Sequence, residues 1–572
     1  MSELTRPAGG VTNTSASPHC TVSSVDLDSV RWTGGLWAQR FEQTCEVTLP
    51  YLWEMLADPE QGHVLSNLRI AAGLEEGEFA GTDWQDEWMY KWLQAAAAIY
   101  QVTGDEALDA RMDEVIEIIG MAQESDGYCA TQTTASDLER WTDNHHHELY
   151  VMGHLLTAAC RHHQVTGKTN FLDIARRVGD YVHRDFVRVE GDLVHYPLNP
   201  SIIMGCVELY RTTGERRYLD VANAFIDRRG SEPGGRGDQI QDRVPLREAT
   251  RVVGHAVFYT YLFAGAADAY LETGDPTLLE ALDRLWHDLT SKRMYLTGGT
   301  CGLHQGFSHN GDPVVEAVGP DHFLPNDTAY NETCGQIGSF MWNWRMLQIT
   351  GEARFADLME ITLYNSILSG ISLDGDLWNY ANPLRSYGKA HDELPLRKPR
   401  NRRHLPGQPP RRADICCPSN LVRTFAELHG YLYGVSDDAF WVHQYGAGRF
   451  EGQVLGGALK LTQETSYPWD GEVSLRIEEA PGEDFALMLR IPGWAEGASL
   501  QVNGEDAAVE LTPGSYARVE RSWSAGDEVT LSLPMPVRMM EGHPRIDATQ
   551  NRVAFMRGPI VYCLEWPELP EG

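Results

Sequence analysis

Two short stretches carry side chains that could share one metal ion. Asn331-Glu332-Thr333-Cys334 offers a carboxylate and a thiol two residues apart, and Cys416-Cys417-Pro418 offers two adjacent thiols. Thiolate sulfur with carboxylate oxygen is a donor set for four-coordinate zinc, and it is too soft for magnesium or calcium. Residues at i and i+2 do not share a helix face, so Glu332 and Cys334 can converge only at a turn or a helix start. The following GQIGSFMWNWRML reads as that helix. Adjacent cysteines should likewise need non-helical backbone to aim both sulfurs at one ion, and Pro418 favours an extended Cys417. The competing reading is that these cysteines are small buried hydrophobes.

Glu316 follows the apolar run Pro313-Val314-Val315. Such surroundings raise a carboxyl's proton affinity toward neutrality, as a general acid requires. Trp141, His147, His255 and Tyr380 could receive sugar hydroxyls, although a lone histidine is more often structural. His147-Glu148 lacks the second histidine of a zinc-protease helix, and the chain has no GxSxG elbow or Walker loop.

The surrounding chain has 572 residues, too many for one ordinary core. Its 47 Lys and Arg against 81 Asp and Glu give −34, which disfavours nucleic acid and anionic membranes and suits a neutral substrate. The first twenty residues lack the apolar stretch of a signal peptide, and no run approaches transmembrane length, so a cytoplasmic protein is expected. Ten mostly isolated cysteines are too sparse for a disulfide framework, which leaves the clustered ones for metal binding or catalysis.

A phrase ending in Thr-Gly recurs, with glycines at 104, 167, 214, 274 and 351, each closing an apolar helical stretch. Glycine there suits a left-handed helix cap, and a second helical stretch follows most of them, so the unit is a helical hairpin. The intervals of 63, 47, 60 and 77 residues are too uneven for a regular solenoid. A closed (α/α)6 barrel (an α/α toroid) is therefore expected over residues 21–434, after a disordered 1–20. The basic stretch 394–414 reads as a loop delivering Cys416 and Cys417. Beyond residue 435 the period falls to two, as in Val473, Leu475, Ile477 and Val529, Leu531, Leu533, which predicts an antiparallel β-sandwich over 435–572.

NETC, LPND at Leu324, ITLYNSILSGISLDG at Ile361, YANPL at Tyr380, CCPSN at Cys416 and RVAFMRGPIVYCLE near the end, in this order, resemble glycoside hydrolase family 127, the bacterial β-L-arabinofuranosidases. The resemblance implies an (α/α)6 barrel followed by β-sandwich domains, and Zn²⁺ held by Glu332, Cys334, Cys416 and Cys417. It further implies Cys417 as nucleophile, Glu316 as acid/base, and sugar contacts from His147, His255, Glu360 and Tyr380. The chain departs from the family in three places. Asn199 replaces a sugar-binding histidine, CCPSN replaces CCPPN, and Val315 stands where glycine is usual. A second β-sandwich carried by many members is expected to be missing or incomplete.

The expected activity is that of a cytoplasmic, zinc-dependent, retaining exo-glycosidase releasing terminal β-L-arabinofuranose from an oligosaccharide or glycoside. Nucleic acid and membrane are not expected partners; a homodimer is compatible with the sequence. Two other readings stay open: an inverting hydrolase pairing Glu316 with Asp86 or Glu87, and a non-catalytic sugar-binding protein with structural zinc.

Overall fold

The computed structural model describes residues 10–187, 196–231, 237–385 and 416–564; the basic stretch 394–414 lies outside them. The helical hairpins fold as outer and inner helices. They are α1 (Leu49–Ala57), α2 (Asp86–Thr103), α3 (Glu106–Ala122), α4 (Glu148–Thr166), α5 (Asn170–Val182), α6 (Ser201–Thr213), α7 (Arg216–Arg228), α8 (Ala256–Thr273), α9 (Pro276–Lys292), α10 (Thr333–Thr350), α11 (Ala353–Ile361) and α12 (Cys416–Ala426). The even-numbered helices touch in sequence, and α12 closes onto α2, so they form the inner ring of an α/α toroid.

The inner helices are buried on nearly every side, as residues 86–99 of α2 show. A helix buried around its whole circumference can be satisfied only inside a second layer, where its charged residues also find partners, as Glu87 does in Lys91. Outer helices carry a stripe instead: α5 buries Phe171, Leu172, Ile174, Ala175, Val178 and Tyr181. Small residues let the inner ring close tightly. A Cβ at Gly338 would come 2.2 Å from Thr260 Oγ1, so α10 meets α8 where only glycine fits. All five Thr-Gly glycines cap inner helices with φ between 66° and 73°.

Residues 10–20, expected to be disordered, pack across the C-terminal ends of inner helices. The His19 amide donates to Leu271 O, and those of Thr21 and Val22 donate to Gln348 O. Thr12 Oγ1 donates to the Gln348 side chain at 2.8 Å, and Gln348 Nε2 donates to Thr14 Oγ1 at 2.7 Å. The Ser/Thr-rich composition reads as disorder, yet its polar groups satisfy helix-end carbonyls that have no partner within their own helix.

The same segment then enters the β-region, crossing the expected boundary at 435. Ser23–Ser24 edges a five-stranded sheet with Tyr433–Val435, Ala439–Val442, Phe485–Ile491 and Ser515–Arg521. Val30–Trp32 edges a seven-stranded sheet whose other members fall between Gly448 and Ser532. Val473, Leu475 and Ile477 point into the core between them, as the two-residue period required. One pairing, Ala439–Val442 with Phe485–Ile491, is parallel within the otherwise antiparallel sandwich. A separate three-stranded sheet spans Val537–Glu541, Val553–Arg557 and Ile560–Tyr562. No helix among the described residues is long and apolar enough to cross a membrane.

Candidate active site

Glu332 is the N-cap of α10, with φ −56° and ψ 129°, and Cys334 lies in that helix's first turn. The Thr333 amide donates to the Tyr380 carbonyl at 2.9 Å, fixing the approach. Cys416 and Cys417 open α12 rather than an extended segment. The expectation of non-helical backbone fails because a proline at the third helical position forfeits only an amide that would have no helical partner. Two helix N-termini therefore converge on the sulfurs, and their dipoles favour thiolates.

One ligand atom from each of Glu332, Cys334, Cys416 and Cys417 lies within 4.8 Å of the others. The sulfurs of Cys334 and Cys417 are 3.3 Å apart and those of Cys416 and Cys417 3.9 Å. Tetrahedral zinc with bonds of about 2.3 Å to sulfur needs sulfurs about 3.8 Å apart. Glu332 Oε2 is buried without a hydrogen-bond partner among the described residues. The donor chemistry, the spacing and this orphaned oxygen all fit a zinc-class ion.

Glu316 reaches the same place from a hairpin, β3 (Leu303–Phe307) and β4 (Pro313–Ala317), inserted between α9 and α10. Its φ of 54° is rare for a residue with a Cβ, and strain of this kind marks positions the surrounding fold over-determines. Ala317 bridges to His255, the N-cap of α8, and the Val318 amide donates to Gly254 O, so Glu316 is clipped to that helix end. His255 Nδ1 accepts from the Val257 amide at 3.1 Å, which leaves the proton on Nε2 to donate to Glu316 Oε2 at 3.1 Å. Tyr330 OH donates to the other oxygen at 2.7 Å.

Burial pushes the Glu316 carboxyl up, but the hydrogen bonds from His255 and Tyr330 outweigh it and hold the group below its ordinary range. The elevation expected from Val314 and Val315 is thus reversed, because the neighbours that decide are distant in sequence. His255, Glu316 and Glu332 again present atoms within 4.8 Å of one another, so Glu332 links the acid to the sulfurs.

His147 precedes α4 with φ 55°, edge-on to Trp84 at 5.2 Å. Burial drives its imidazole down to about 3, so it is neutral around pH 7. Tyr380, whose carbonyl takes the Thr333 amide beside Glu332, has its ring 6.0 Å from that of Tyr330. Asn199, just ahead of α6, is buried with Oδ1 unpartnered among the described residues. Trp84 and Tyr330 escaped sequence reasoning. Their only signal was an aromatic residue in a polar segment shortly before an inner helix.

Two expected sugar contacts are committed elsewhere. Trp141 Nε1 donates to Tyr181 OH at 2.9 Å, and its ring packs on Phe186 and Tyr128. Glu360 is buried between barrel and sandwich, where Arg490 donates at 2.6 Å, Trp494 Nε1 at 3.0 Å, and Tyr467 OH also donates. Its place in the ITLYN neighbourhood reflects domain docking. Arg490→Met leaves that carboxylate buried and uncompensated, so denaturant titration should show a loss of about 3–5 kcal/mol. KM should stay unchanged.

The carboxylates proposed for an inverting pair are also occupied. Asp86 accepts from the Thr131 amide and hydroxyl at 2.7 and 2.5 Å. Glu87 forms a fully buried ion pair with Lys91 at 2.6 Å and accepts from Tyr150 OH at 3.1 Å.

Known proteins share the sequence and the fold of this chain. A family model described as β-L-arabinofuranosidase, GH127 catalytic domain, matches residues 29–430. The family's middle-domain model matches 439–535, and that of its C-terminal domain matches 537–571. A non-reducing end β-L-arabinofuranosidase of Bifidobacterium longum is 32% identical, over 95% of this chain and 87% of its own. The crystal structure of a GH127 β-L-arabinofuranosidase from Geobacillus stearothermophilus T6 superposes with TM-score 0.86 at 37% identity, covering 94% of this chain and 86% of that one. Another GH127 β-arabinofuranosidase structure gives 0.87 at 35% identity, covering 96% and 86%. The chain is a glycoside hydrolase and belongs to family 127.

Proposed function

We propose that this hydrolase releases terminal β-L-arabinofuranose from oligosaccharides or glycosides with retention, using a cysteine sulfur as nucleophile and Glu316 as acid/base. The observation that carries this reading is the convergence of Glu316 with the Glu332, Cys334, Cys416 and Cys417 cluster. The names of the relatives support the choice of sugar.

Of the adjacent cysteines, Cys416 retains 7% exposure and Cys417 none. An attacking atom must be reachable from the cleft, so we assign the attack to Cys416, and Cys417 becomes a buried ligand. Bound zinc would hold the sulfurs as thiolates and leave the four-ligand set at formal charge −2. Like charge beside Glu316 raises its proton affinity, opposing the donors described above.

Cys416 attacks C1 while Glu316 gives its proton to the departing oxygen, and a thioglycosyl bond replaces the glycosidic one. Glu316 then takes a proton from water, whose oxygen attacks C1 as the electron pair of the C–S bond returns to sulfur. Two displacements restore the configuration. Neutral His147 and the open oxygen of Asn199 suit sugar hydroxyls.

The test is a screen of nitrophenyl glycosides and arabino-oligosaccharides with metal analysis of the same preparation. Hydrolysis of β-L-arabinofuranosides by protein holding about one zinc per chain is expected. Prolonged chelation should abolish activity, and added Zn²⁺ should restore it. Stoichiometric zinc without hydrolysis of any furanoside would sink the proposal.

A further inference from the structure

The last residue of the CCPSN run has no part in the mechanism above, yet it touches the metal cluster. Asn420 Nδ2 lies 3.0 Å from Cys334 Sγ, and Asn420 Oδ1 lies 3.3 Å from Tyr261 OH. Tyr261 OH in turn accepts from Arg423 Nη2 at 3.0 Å. All four side chains are buried.

The direction of this chain is fixed at its far end. A guanidinium only donates, so Tyr261 must accept from Arg423 and pass its own proton to the Asn420 oxygen. That sets the amide orientation, which atom positions alone leave ambiguous, and it points an N–H at the sulfur. Among the described residues, neither Cys416 nor Cys417 takes an N–H donor at its sulfur. The three sulfurs of the cluster are therefore chemically unequal.

We propose that Asn420, held by Tyr261 and Arg423, is a positioning residue that binds Cys334 into the metal set and removes it from competition as a nucleophile. An N–H···S bond draws electron density from a thiolate, lowering its nucleophilicity and orienting its lone pairs. Cys416, without such a donor, keeps the density needed to attack carbon. The inference rests on the metal–thiolate reading above.

Co²⁺-substituted protein tests it, since the thiolate-to-cobalt charge-transfer bands report electron density at sulfur. In Asn420→Ala these bands should move to lower energy. Metal release into excess chelator should accelerate about 10-fold or more, the usual scale for losing an outer-shell partner. Likewise kcat should fall more than KM rises. Tyr261→Phe, which keeps the ring and loses only the relay proton, should shift both readouts the same way but less.

Bands and release rates unchanged in folded Asn420→Ala, or in Tyr261→Phe should the alanine variant not fold, would overturn the proposal. Wild-type protein showing no thiolate–cobalt bands would remove the metal site itself, and this inference with it.

Discussion

Serine at position 416 should leave the enzyme folded and sugar-binding but without turnover, with kcat reduced roughly 10⁵- to 10⁶-fold, the scale of losing a covalent nucleophile. Two properties make the loss that large. A hydroxyl ionises far less readily than a thiol, and no free base stands ready to activate it, because Glu316 is engaged as the acid. Cys417→Ser is the necessary control. Its sulfur is enclosed, so serine there removes a ligand, and the defect should appear as metal loss that excess Zn²⁺ relieves in part. Metal titration and single-turnover kinetics on both variants separate the roles. Full turnover in zinc-replete Cys416→Ser would return the nucleophile to Cys417 or to a carboxylate.

Glu316→Gln should lower kcat for alkyl arabinofuranosides by about 10²- to 10⁴-fold, because the amide can neither give the proton to the departing oxygen nor take one from water. Nitrophenolate departs without help, so nitrophenyl substrates should react quickly in the first step and stall in the second, giving a burst. Azide, which attacks without deprotonation, should restore release of a retained glycosyl azide. The fold should tolerate the change. Tyr330 OH can turn and accept from the new amide, while His255 Nε2–H keeps an oxygen acceptor.

The molecule was unevenly legible in its sequence. The Thr-Gly phrases announced the inner helices because a left-handed cap is a local requirement that a single residue type meets. The sandwich strands were equally local, through their two-residue period. The relation between pieces was not. Residues 10–20 were expected to be disordered and 21–30 to belong to the barrel, yet this stretch caps helix ends and then supplies an edge strand to each sheet of the sandwich, and those partners lie over three hundred residues away. Glu360 was assigned to the sugar on a nearby motif, whereas Arg490 and Trp494 of the sandwich claim it.

At the site, residue identities could be read but not their electrical state. Val314 and Val315 suggested an acid raised by apolar neighbours, and the groups that set Glu316 are His255 and Tyr330, brought in by a helix cap and a long loop. The order of the cysteines was visible. Their unequal burial, slight exposure for Cys416 and none for Cys417, depends on how α12 meets α2 and α10, which no local pattern reveals.

The proposed mechanism requires a carbon–sulfur bond to one particular residue. Glu316→Gln protein mixed with a nitrophenyl β-L-arabinofuranoside, quenched and digested, should yield a peptide carrying one pentosyl unit on Cys416 by fragment-ion mass spectrometry. An unmodified Cys416 beside a glycosylated carboxylate, or an inverted first product with no adduct at all, would contradict it.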